Sequence, residues 1–159
     1  MEKFPNCTTT RRSARFTQCT DRVKIDNRHI DMSADTLCWT DIPVTNLDRA
    51  IKFYSAILGK QVRKLSGGGM EYGLLPHEEQ NASGCLYIRG DSGGVDNAPS
   101  ANGPLIYLSV EGRLDKAVEA ARANGGKVLR ARQKIGEHGF RAVVIDSEGN
   151  RIALHSTVA

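Results

Sequence analysis

Two stretches of the chain follow one plan at a spacing of 66–67 residues, and this narrows the possible folds more than any other feature. Leu37–Val44 is an apolar, β-prone run ending in Pro43-Val44, which predicts a strand. Thr45 and Asn46 are capping residue types, and Asp48 falls in a first helical turn, where a carboxylate is favoured. Leu47, Ala50, Ile51, Tyr54, Ile57 and Leu58 then recur at helical spacing, and Gly59 can take the left-handed conformation that ends a helix. The second stretch repeats this order. Leu105–Val110 reads as a strand, Leu114, Ala117, Val118 and Ala121 share one helical face, and Asn124-Gly125-Gly126 terminates it. Two copies are too few for a solenoid, so the arrangement that remains is two related halves facing each other across a shared surface.

The segments between complete each half in the same way. After the first helix come Val62–Leu65, the turn Gly67-Gly68-Gly69 and Met70–Leu75, then the polar loop 76–83 and a strand at Gly84–Arg89. Residues 104–157 add Lys127–Lys134, Phe140–Asp146 and Arg151–His155, the last two joined by Ser147-Glu148-Gly149-Asn150 as a hairpin turn. Each half reads β-α-β-β-β, with one helix on the back of a sheet whose other face is free to form a cup. The expected class is α+β, two βαβββ modules pairing into a curved half-barrel cup. Module one is 37–89, the glycine-rich linker 90–103, and module two 104–157, together one domain over 36–159. Residues 1–35 are polar and aperiodic and are expected to form a mobile extension, with Met32 as the effective start of the folded part.

Composition removes several function classes. The net charge of +4 is diffuse and no basic run is interleaved with aromatics, which argues against nucleic acid as a partner. No apolar stretch reaches membrane-spanning length, and the N-terminus lacks the apolar core of a signal peptide. Four cysteines at 7, 19, 38 and 85 have neither metal-site nor disulfide-framework spacing, which fits free thiols in a cytoplasmic protein. Gly67-Gly68-Gly69 is not a phosphate loop, because no Lys-Ser/Thr pair and no helix follow it.

The motif L-D-R-A-x-x-F-Y-x-x-x-L-G at Leu47–Gly59, the repeated module, and the ending I-G-E-H-G-F…D-S-E-G-N-R-I-A-L-H-S at Ile135–Ser156 together resemble the vicinal oxygen chelate superfamily of glyoxalases, bleomycin-resistance proteins and dioxygenases. The resemblance implies a homodimer whose modules pair within one chain or swap between two. It also implies four metal-ligand positions, one on the first and one on the last strand of each module. Counting from Phe53-Tyr54 and applying the repeat offset, these positions are Trp39, Tyr87, Leu105 and Ala153. None is His, Asp or Glu, the ligand types such a metal needs, so neither a metal nor any other cofactor is expected.

Strand alternation then gives the lining of the cup. Trp39 and Asp41, Cys85 and Tyr87, Leu105 and Tyr107, and Ala153 and His155 face inward, and Phe140 is added to the same lining. This describes an aromatic, mostly apolar pocket with one carboxylate and one imidazole, suited to a small organic ligand. Substitute metal donors would be His155, His138 and Glu137. Asp41 would act as a general base if buried beside His155, and otherwise bonds the loop backbone. The leading expectation is a metal-free protein that binds a small organic ligand in the cup. The alternatives are a metal-dependent glyoxalase-like lyase, isomerase or dioxygenase, and a non-catalytic structural or interaction module.

Overall fold

The structure, a computed structural model, describes residues 37–78, 81–88 and 98–159. The expected extension over 1–35 with its boundary at Met32, and most of the expected linker, lie outside the described residues. Module one contains β1 (Trp39–Val44), α1 (Leu47–Leu58), β2 (Arg63–Gly67), β3 (Met70–Leu74) and β4 (Ser83–Ile88). Module two contains β5 (Ile106–Ser109), α2 (Leu114–Ala123), β6 (Lys127–Lys134), a 3-10 turn at Gly136–His138, β7 (Phe140–Ile145) and β8 (Arg151–Ser156). The sheets run β1-β4-β3-β2 and β5-β8-β7-β6, with the first and last strand of each module paired in parallel. The architecture is α+β, two βαβββ modules, and their sheets do not close into a barrel.

Local chemistry sets the element ends. The Asn46 side chain accepts from the Arg49 amide at 2.9 Å and caps α1, and Gly59 closes it with φ of 63°. Gly68 and Gly69, at φ 62° and 82°, form the two-residue turn between β2 and β3 that only positive-φ residues make comfortably. On α1 the buried face is Leu47, Ala50, Phe53, Tyr54 and Ile57, so Phe53 belongs to the stripe, while Ile51 and Leu58 flank it half-buried. On α2 the buried face is Leu114, Ala117, Val118 and Ala121, as the spacing predicts.

One continuous core spans both modules. It joins Ile42, Val44, Phe53 and Leu86 of module one to Ala117, Val144, Ile152 and Leu154 of module two. Phe53 and Tyr54 are fully buried with ring centroids 5.3 Å apart in an edge arrangement. Two carboxylates then fasten the seam. Asp146, 2% exposed, accepts the Tyr54 hydroxyl at 2.7 Å, the Asn150 side-chain amide at 2.9 Å, and the amides of Glu148, Gly149 and Asn150. Burial pushes the Tyr54 hydroxyl well above its ordinary range, and the Asp146 charge adds to the effect. Asn150 also donates to the Pro43 carbonyl at 2.9 Å, tying β1 to the start of β8.

Glu148 is the second fastener. Its Oε2 accepts from the amides of Thr45 and Asn46, the Thr45 hydroxyl and Arg49, and its Oε1 accepts from Arg49 Nε at 2.7 Å. Burial alone would push this carboxyl up, but the bonds from Arg49, Thr45 and Asn46 together outweigh it and hold it at about 2. A carboxylate at the N-terminus of α1 also meets the positive end of the helix dipole. The consequence for the site is positional: β1 and β5, the edge strands of the two sheets, are held facing one crevice.

Candidate functional site: the crevice between the modules

Burial alternates along β1, β4 and β5, and strand pairing extends the assignment of the two faces to β8. On β1, Ile42 and Val44 are buried under α1, whereas Trp39 and Asp41 are exposed on the opposite, open face. On β4, Leu86 is buried beside Ile42, which sends Cys85 and Tyr87 to the open face. On β5 and β8, Leu108 and Leu154 pair on the core side, which leaves Tyr107, Ala153 and His155 on the open face, in line with Leu105 just before β5.

Phe140 is a correction. It pairs with buried Ser156, packs against the core, and carries the Arg132 guanidinium 5.6 Å above its ring, while Arg132 is bonded to Asp115 of α2 at 3.1 Å. Phe140 therefore lies on the helix side of its sheet and does not line the cup. The open-face residue next to it is Arg141.

The strand pairing also corrects the module-to-module correspondence. Ile42 pairs with Leu86, and Leu108 pairs with Leu154, so the last strands match at an offset of 68 rather than 66. The counterpart of Ala153 is Cys85, and that of Tyr87 is His155. The open-face rungs are then Asp41 with Cys85 and Tyr107 with Ala153 as cross-strand partners, followed by Pro43 with Tyr87 and Ser109 with His155. No rung holds two hard anionic or imidazole ligands. The carboxylate and the imidazole on the open face each bond to a neutral group of the chain. Asp41 Oδ1 accepts from Trp39 Nε1 at 2.7 Å and from the Cys85 thiol at 3.2 Å, and His155 donates from Nε2 to the His138 carbonyl at 2.7 Å. Among the described residues no group of three or more His, Cys, Asp or Glu is placed to hold a metal, so the residues present do not fit the divalent ion that the resemblance implies.

The remaining sequence-derived residues divide in two. Asp41, Tyr87, Leu105 and Tyr107 come together along a crevice of about 1130 Å³ between the β1 and β5 edges. Trp39, 45% exposed, stands at the first residue of β1, and Ala153 and His155 lie on the module-two open face; none of these three lines the crevice. Asp41 is exposed and its partners are Trp39 and Cys85, so it is not the buried base beside His155 that the sequence allowed. Burial pushes the Cys85 thiol up to about 12, and the bond to Asp41 and its charge reinforce the shift. Such a thiol is not a nucleophile near neutral pH.

Sequence reasoning missed three arginines. Leu105, Leu129, Arg130, Arg141, Val143 and Arg151 line a second cavity of about 650 Å³ on the module-two open face, which shares Leu105 and Arg151 with the crevice. Arg151 and Arg141 could have been found by alternation, since Arg151 lies two residues before Ala153 and Arg141 is the cross-strand partner of His155. Arg130 could not. The register shift between Val128 and Arg130 places it opposite Val143, on the face that a straight strand would deny it.

A sequence model of the Glyoxalase/Bleomycin resistance protein/Dioxygenase superfamily matches residues 36–154, well over half of the chain. A search of curated protein sequences returned no match. Among solved structures, the chain is similar to a glyoxalase-related enzyme from Fulvimarina pelagi, with a TM-score of 0.58, 15% identity, and coverage of 77% of this chain and 88% of the other. It is similar to a glyoxalase/bleomycin resistance protein from Albidiferax ferrireducens T118, with a TM-score of 0.56, 20% identity, and coverage of 77% and 98%. A glyoxalase/bleomycin resistance protein/dioxygenase family enzyme from Burkholderia phytofirmans PsJN matches with a TM-score of 0.54, 16% identity, and coverage of 75% and 96%. At these identities the structural matches establish the fold, and the sequence model establishes the kinship: this chain belongs to the glyoxalase/bleomycin resistance protein/dioxygenase superfamily.

Proposed function

We propose that the chain binds a small organic ligand in the crevice between its modules, without a divalent metal. The observation that carries this reading is the pairing of a large, mixed-character crevice with open-face rungs that lack a ligand set. Asp41, Tyr87, Leu105 and Tyr107 supply aromatic and aliphatic walls with one carboxylate, the composition of a small-molecule site. The rungs of β1 with β4 and β5 with β8 supply no metal cage. Cys38 and Cys85 are free thiols, which supports a cytoplasmic location, and no helix among the described residues is long and apolar enough to cross a membrane. The exposed apolar residues Trp39, Met70 and Ile88 support a homodimer, which sedimentation of the purified protein tests.

Elemental analysis and native mass spectrometry on one purified sample test the main reading. The expected result is no stoichiometric Zn, Ni, Fe or Mn, with an organic adduct that leaves on mild activation. Close to one metal ion per chain surviving dialysis would overturn it.

A further inference from the structure

The arginine-lined cavity shows what kind of ligand the crevice would take. Arg130, Arg141 and Arg151 line one cavity together with Leu105, Leu129 and Val143. Their partners among the described residues are neutral. Arg141 donates from Nη1 to the Tyr107 hydroxyl, and the Gln133 amide oxygen, so oriented, accepts from its Nε at 2.9 Å and its Nη2 at 3.1 Å. Arg151 donates from Nη2 to the Gly103 carbonyl at 3.2 Å, and its buried Nε has no partner among the described residues. The ion pairs among the described residues use Arg49, Lys64, Arg122 and Arg132, and none of the three cavity arginines.

Neutral acceptors fix the direction of a guanidinium without cancelling its charge. Three like charges lining one recess therefore produce a positive potential that an anion would relieve. A guanidinium with free donors presents the planar fork that matches a carboxylate or phosphate. The buried, unpartnered Nε of Arg151 is a donor whose desolvation nothing in the described structure offsets. The strand irregularities point the same way. Val128 pairs with Val144 on the core side, so regular alternation would bury Arg130 there too, and the bulge between them turns it into the cavity.

We propose that this cavity seats an oxyanion, a carboxylate or a phosphate, borne by the organic ligand whose apolar body lies along the crevice. The proposal rests on the crevice reading above. Leu105 and Arg151 belong to both spaces, so one molecule reaches from Tyr87 and Tyr107 to the arginines.

The test uses the full chain, four probes and nitrogen-15 NMR, with the arginine Nε–H signals as reporters. The probes are benzoate, phenyl phosphate, benzyl alcohol and benzylamine. Benzoate or phenyl phosphate is expected to shift the Nε–H signals of Arg141 and Arg151 saturably, the tighter of the two naming the oxyanion. Arg130→Gln, on the exposed edge strand, and Arg151→Gln are each expected to weaken that probe roughly tenfold, while the backbone spectrum reports an intact fold. Benzylamine is expected to bind more weakly than benzoate. If benzyl alcohol binds as tightly as the anions and the arginine substitutions change nothing, the oxyanion site is refuted and the crevice reading stands. If none of the four shifts Asp41, Tyr87 or Tyr107 at millimolar concentration, the crevice reading itself falls.

Discussion

Replacing Glu148 by glutamine tests how the modules are held, because one carboxylate there closes most of the polar seam. The wild-type group sits at about 2 against an ordinary 4.5. At 1.36 kcal/mol per unit this depression corresponds to ~3 kcal/mol, and the half-exposed Arg49 partner reduces the realistic figure to ~2 kcal/mol. Glutamine keeps one acceptor oxygen but loses the charge that Arg49 and the amides of Thr45 and Asn46 address. For a domain of this size, the loss is expected to lower the thermal midpoint at pH 7 by ~6–10 °C. The pH dependence gives an independent check. A carboxyl depressed in the folded state stabilises fully above its unfolded value of 4.5, and that contribution disappears as pH falls through about 2. Urea unfolding of both proteins should therefore show a gap that is constant at neutral pH and closes across the acid window. A gap under ~0.5 kcal/mol at pH 7, the scale of an ordinary surface substitution, would refute the reasoning, as would a gap unchanged down to pH 2.

Tyr54 has the opposite sign: its folded-state value is raised, so its contribution is intact below its ordinary 10.0 and lost as pH climbs above that. Absorbance titration should show Tyr54 ionising only on unfolding. Gly126→Ala would place a Cβ 2.7 Å from both the Ile145 carbonyl and Phe53 Cε2, and should destabilise by ~2 kcal/mol or more in urea; an unchanged midpoint would mean the seam yields easily. Alkylation at pH 8 followed by peptide mapping should label exposed Cys38 well before Cys85, and Asp41→Ala should speed Cys85; equal rates in the wild type would contradict its raised thiol.

The elements were legible because helix faces and tight turns are written locally. Leu114, Ala117, Val118 and Ala121 announce α2, and Gly59, Gly68 and Gly69 announce conformations few other residues adopt. The face of each residue was legible wherever strands are regular, which is why Asp41, Tyr87 and Tyr107 turn up on the open side. Besides the β6 bulge that turns Arg130, two things were not. The offset between the last strands is 68 because the turns and loops before β4 and β8 differ in length, and loop length leaves no mark on strand alternation. Phe140 looked like a cup residue because an aromatic at a strand start fits either face, and only its pairing with Ser156 resolves the choice.

The repeat also explains why the two walls of the site differ so much in charge. Duplicated modules provide matching scaffolds, and corresponding positions then diverge freely wherever the core does not constrain them. Ile42 and Leu108, or Leu86 and Leu154, remain apolar because each must fill the same space beneath a helix. Across the open face the matching positions are Asp41 and Tyr107, Cys85 and Ala153, Ser83 and Arg151. One wall keeps a carboxylate bonded to an indole and a thiol; the other gathers guanidinium groups around Val143. A pseudo-symmetric cup with opposite charge on its two sides cannot treat the two ends of a bound molecule alike, because reversing the ligand would set like charges against each other. On the proposed ligand-binding reading, divergence between the copies, more than any single residue, gives the crevice a direction.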